Sequence, residues 1–240
     1  MNTPALGVAG LLLAAVVLAD LVYSPPYMRR VRAAVAAGDT DARTRMYRLT
    51  AWLSWAAALG ALAVMLAGGL SASEIGLGPP RLGTLERYGG LLAGAAVGLV
   101  GGGLAMALAS RRGRAPSRPG IGDEDVMVPR SKAERRWFAF VAVTAGIAEE
   151  VFYRALALTF MLAVLPGEAR YPAVLIAAAL FGAAHVYQGA GGVAITALLA
   201  VVLGWLYVDT GSLLPGIVLH ALVNLRVLVV RPTADPPSAN

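Results

Sequence analysis

Apolar residues in this chain neither alternate with polar ones nor form a narrow helical stripe; they run in long blocks. A helix needs about 20 mostly apolar residues to cross roughly 30 Å of hydrocarbon. Seven blocks meet that need: 5–22, 49–70, 88–110, 137–165, 171–187, 191–209 and 213–230. They predict an all-α fold, a polytopic transmembrane helical bundle of about seven spans, with six to eight as the range. The fourth block is long and carries Gly146 and two glutamates in its middle, so a break or strong tilt is expected there. Splitting it would add an eighth span.

Composition agrees with the pattern. Of 240 residues, 58% are hydrophobic and 14% charged, with a mean hydropathy of +0.68. An ordinary soluble enzyme or a disordered chain does not look like this. Zero cysteines exclude disulfides, Cys-ligated metals and a thiol nucleophile. The net charge of +6 does not indicate a nucleic-acid partner, because the basic residues are not interleaved with aromatics on a soluble face. Instead, six arginines fall in 23–48 and eight basic residues in 111–136, both read as loops. Basic clusters beside apolar spans mark the cytoplasmic side, and alternation of the spans places both loops there.

Arg29, Arg30 and Arg32 follow the first span rather than precede it, the reverse of a cleaved signal peptide, so the span is expected to be retained. Trp52, Trp137 and Tyr171 lie near span ends, where amphipathic rings favour the interface. Gly98, Gly101, Gly102 and Gly103 in the third span, and Gly182, Ala183 and Ala184 in the fifth, would let helices approach closely. The stretches 113–120 and 232–240 read as flexible by composition. No internal repeat supports an inverted-repeat transporter.

Against this apolar background six polar groups stand inside spans: Glu149, Glu150, Arg154, His185, His220 and Asn224. Both histidines of the chain are among them. A charge at the bilayer centre costs roughly 2.5–3.5 kcal/mol on insertion scales, so such groups face a bundle interior or a wet cavity. They predict a shared intramembrane polar cavity. Glu150 and Arg154 are i,i+4 and suit an ion pair, which leaves Glu149, about 100° round the helix, to point at the histidines. His220 and Asn224 share a face in the same way, as do Phe181 and His185. The small residues after Phe181 would bring His185 close to the fourth span. Asp20 and Asp209, near span ends, read as structural.

Such a group suits hydrolysis. A buried glutamate can act as base towards water, a neutral imidazole can hold that water, and His N–H and Asn amide groups can meet an oxyanion. Alternatively, Glu149, His185 and His220 could bind zinc, which would activate the water. The cofactor is thus either zinc or none. Taken singly, each residue also has a plain reading: an intrahelical pair, packing histidines and an interhelical asparagine.

The residues also carry a resemblance. Glu149-Glu-Val-Phe-Tyr-Arg154 fits the EExxxR motif of the CPBP family, intramembrane proteases that include type II CAAX prenyl endopeptidases and abortive-infection-like proteins. Phe181 to His185 is similar to its FxxxH motif and His220 to Asn224 to its HxxxN motif; the stretch 204–215 resembles the segment that precedes the latter. The similarity covers roughly 137–226. It implies an intramembrane endopeptidase in which Glu149 is the catalytic carboxylate, His185 helps activate water, and His220 and Asn224 stabilise the oxyanion. Glu150 and Arg154 would support the geometry. The family has been described both as glutamate-type and as a metalloprotease type, which keeps both cofactor readings.

Other protease signatures are absent or weaker: no His-Glu-x-x-His, no Gly-x-Ser-x-Gly elbow, and only Ser212 beside Gly211 as a distant serine candidate. The expected organisation is N-terminal helices and Arg-rich loops over 1–136, a catalytic core over 137–231 and a tail over 232–240. The partners expected are membrane lipid and a membrane-associated protein or peptide, CAAX-like, a leader or a C-terminal sorting segment. The Ala/Gly/Arg-rich composition with one lysine suggests a bacterial inner membrane. Alternatives are a non-catalytic scaffold or immunity protein of the same family and, more remotely, a proton-coupled transporter.

Overall fold

The computed structural model describes residues 1–81, 83, 88–90, 93, 94, 97, 98, 101, 108, 124–167 and 169–229. The third expected span, 88–110, lies largely outside the described residues, as do 111–123 and the tail from 230. The described residues form helices and turns, with no strand among them. Three of these helices are long and apolar enough to cross a membrane: Thr3–Ala36, Ala42–Ala67 and Val186–Thr210. The chain is an integral membrane protein.

Helix α1 spans Thr3–Ala36 and α2 Ala42–Ala67. The expected loop at 23–48 is therefore corrected: only 37–41 separates the two helices. The apolar run does end at 22, but the helix continues through Pro25 and Pro26. Two prolines remove two backbone donors, and tertiary packing holds the extension. Met28 and Val31 are buried against Met46, Tyr47, Val126 and Phe138. One consequence is that Asp20 sits mid-helix and half-buried rather than at an end.

Helix α3, Lys132–Glu149, starts on a capping box in which the Ser131 hydroxyl accepts from the Glu134 N–H at 3.1 Å, while the Glu134 carboxylate takes the Ser131 and Arg130 N–H groups. The expected break in this block does not occur. The helix runs on as a π-helix, Glu150–Leu158, and then as α4, Thr159–Val164. Gly146 is needed for close packing instead: a Cβ there would lie 3.0 Å from the Ala221 backbone nitrogen.

Helix α5, Arg170–Ala184, turns through Val186–Gln188 into α6, Gly189–Thr210, and α7 covers Leu214–Leu225. Gly189, at φ +77°, permits the sharp turn into α6. At about 1.5 Å per residue, α5 and α7 are shorter than the thickness of a hydrocarbon layer. Gly182 does bring a neighbour close, but that neighbour is α6 (Ala197, Val193) and not the fourth span.

The helices collect their loops at two ends. At one, Arg43 Nε donates to the Val126 carbonyl at 3.0 Å, Tyr47 to Met127 at 2.8 Å and Arg135 to Leu228 at 2.7 Å. The described arginines of both predicted basic segments gather there. At the other, the Asn2 N–H meets the Gly68 carbonyl at 3.0 Å and the Leu213 N–H meets Gly76 at 2.8 Å. Between the ends one apolar cluster joins α1 and α2 (Ala9, Leu13, Val17, Ala58, Ala61, Met65) to the π-helix and α5.

Candidate active site

All nine residues of the π-helix are buried. A π-helix bonds i to i+5 and widens the turn, a feature frequent at functional sites. It begins where the glutamate pair stands, with Glu149 closing α3 and Glu150 opening the wider turn.

Glu150 is 1% exposed. Its Oε1 lies 3.1 Å from an Arg154 terminal nitrogen, so the intrahelical pair forms as expected. The same oxygen also takes a bond the sequence did not suggest, with His220 Nδ1 at 2.9 Å. Gly216, at the start of α7, is the close neighbour that fixes this carboxylate: a Cβ there would sit 2.8 Å from Glu150 Oε2.

His185 caps the C-terminus of α5. Its Nδ1 is 2.8 Å from the Phe181 carbonyl. A carbonyl only accepts, so Nδ1 carries the hydrogen and the neutral ring keeps a bare lone pair on Nε2. The Glu150 carboxylate, held by Arg154, imposes the same order on His220. Both Nε2 atoms then face Glu149: its Oε2 is 4.0 Å from His185 Nε2 and 3.8 Å from His220 Nε2. That oxygen is buried with no hydrogen-bond partner. Phe181 underlies the group, with ring centroids 4.6 Å from His185, 5.8 Å from His220 and 5.0 Å from Tyr153. The Arg154 guanidinium lies over the same ring at 4.7 Å.

The model of the type II CAAX prenyl endopeptidase Rce1-like family matches residues 133–226. The matched segment is similar to that family of endopeptidases and contains Glu149, Glu150, Arg154, His185, His220 and Asn224. No curated protein and no solved structure matches the chain.

Within the matched segment Asn224 stands apart. Its amide donates to the Ala142 carbonyl on α3 at 3.4 Å, a long bond that ties α7 to α3. Tyr153 was not singled out by its sequence position, yet its hydroxyl is buried without a partner. Outside the segment, Asp20 on α1 lies within Coulombic reach of Glu149 and Tyr153, with Ser24 beside its carboxyl. The apolar pattern hid it, because the run ends two residues later. Ser212 donates to the Gly78 carbonyl at 2.7 Å, at the loop end remote from the histidines. Asp209 accepts from the Tyr88 hydroxyl.

To hold zinc, Glu149, His185 and His220 would have to close in on one another by about 0.5 Å. Ligands about 2.0 Å from a tetrahedral ion lie roughly 3.3 Å apart, closer than the separations here. Among the described residues no three His, Asp or Glu side chains stand at metal-ligand spacing.

Proposed function

We propose that the chain is an intramembrane endopeptidase that hydrolyses a peptide bond in a membrane-associated protein or peptide, using water activated by Glu149 and His185. The observation that carries this reading is the buried, partnerless Oε2 of Glu149, flanked by two Nε2 lone pairs at 3.8 and 4.0 Å. Those separations suit one water that gives its two hydrogens to Glu149 Oε2 and His185 Nε2, each at about 2.8 Å. Glu149 takes the water's proton as the oxygen attacks the carbonyl carbon, and later passes that proton to the leaving amine. The tetrahedral oxyanion needs donors. His220 supplies one once its Nε2 has taken a proton from bulk water before the attack, with Glu150 offsetting the imidazolium charge through the Nδ1 bond. Asn224 supplies another by exchanging its long bond to Ala142.

The substrate segment is CAAX-like, a leader or a C-terminal sorting tail, and the membrane a bacterial inner membrane with the arginine-rich end cytoplasmic, as the positive-inside rule favours. The test compares membrane-protein termini in cells carrying wild type or Glu149→Gln, followed by cleavage of the identified peptide by purified protein in lipid. Loss of the acid–base group should lower the rate about 10²–10⁴-fold. Equal cleavage by folded Glu149→Gln would overturn the assignment. Unchanged termini with an intact cellular phenotype would instead mean a scaffold or immunity protein.

A further inference from the structure

A cavity of about 370 Å³ opens between α2 and α3 and shares no lining residue with the Glu149 site. Its volume lies within the roughly 300–1,000 Å³ of ligand sites. The lining has a direction. On α2, Arg48 is followed one and two turns deeper by Trp52 and Trp55; on α3, Arg136 is followed by Trp137 and Phe140. Both arginines lie nearer the starts of their helices, at the basic end of the bundle, and the aromatics lie further along. Trp52 is 73% exposed and Phe140 51% exposed, so the deeper wall is an open aromatic surface. Arg48 stands 5.6 Å above the Trp137 ring. Among the described residues neither Arg48 nor Arg136 has a carboxylate partner.

A ligand matching these walls has an anionic head above an apolar chain. Guanidinium groups suit phosphate because their planar fork matches its oxygens. Basic pockets between transmembrane helices on the cytoplasmic side bind anionic headgroups. We propose that this groove binds an anionic phospholipid, its phosphate between Arg48 and Arg136 and an acyl chain along Trp52, Trp55 and Phe140. The charge of the two arginines selects the head, and the aromatic wall excludes a ligand lacking a tail.

The test is native mass spectrometry of the full chain offered phosphatidylglycerol and phosphatidylcholine of identical acyl chains. Wild type should retain phosphatidylglycerol at least about tenfold better, and Arg48→Gln/Arg136→Gln should bring the two lipids to parity. Trp52→Ala should weaken retention of phosphatidylglycerol several-fold. Equal retention of both lipids by wild type, or a preference that survives the double variant, would overturn the proposal. So would protection by inorganic phosphate equal to that by the lipid, which would assign a free-anion site. Should the double variant fail to fold, Arg136→Gln alone decides: its exposed side chain should still cost at least about threefold in preference, and no change would refute the site.

Discussion

Helices α1 and α2 pack against the helix 132–164, yet the two regions handle charge in opposite ways. In the first pair the buried residues between the ends are Ala9, Leu13, Val17, Ala58, Ala61 and Met65, and the arginines collect at one end. In the second, Glu150 and Arg154 are 1% and 2% exposed in the middle of the helix. Lipid offers no hydrophobic drive between helices, so α1 and α2 hold by dispersion between small residues. The π-helix holds charges that only mutual neutralisation makes tolerable. The walls can be read from hydropathy; the site can be read only from its exceptions.

The strongest way to break this contrast is to remove one charge from the centre. Glu150→Gln keeps the shape but leaves Arg154 buried without its countercharge and gives His220 Nδ1 a neutral amide oxygen in place of a carboxylate. Leaving a buried charge unpaired costs about 3–5 kcal/mol, and, on the proposed mechanism, loosening the group that orients His220 lowers activity roughly 10–100-fold by analogy with partners that orient metal-bound histidines. Thermal unfolding in detergent and a cleavage assay read the two effects separately. If Glu150→Gln is fully stable, the carboxylate is not the keystone the contacts describe.

Much of this was legible in the sequence. The three motifs named the buried polar residues because charges in an apolar block have few reasons to be there. The i,i+4 spacing gave the Glu150–Arg154 pair for the same reason. The bond from Glu150 to His220 joins residues 70 apart, and no local spacing encodes it. Nor does hydropathy distinguish α from π winding, since both bury the same residues. The extension of α1 past Pro25 and Pro26 was hidden because local propensity argues for a stop and only contacts from α2 and α3 override it. Asp20 was misplaced for that reason alone.

A smaller effect should come from Gly216→Ala, which adds one methyl 2.8 Å from Glu150 Oε2. The carboxylate must turn, because the opposing atom is a short, doubly held side chain. Overpacking of this kind costs typically 1–3 kcal/mol. The cleavage rate should fall about tenfold while substrate binding holds, because the displaced group orients His220. Wild-type kinetics in this variant would mean that the Glu150–His220 bond does not matter to the reaction.

The smallest effect belongs to the wall. Val17 on α1 is 6% exposed and packs into the cluster that backs the π-helix. Val17→Ala removes two methyl groups from a lipid-embedded contact, where the loss is dispersion rather than transfer from water, so about 1 kcal/mol is expected. Activity should stay unchanged at temperatures where the variant is folded, as measured by the same cleavage assay against its own melting curve. A drop in rate without a drop in stability would show that α1 does more than support. The residue to examine would then be Asp20, less than one turn away and within reach of Glu149, and the line drawn between wall and site would move to include it.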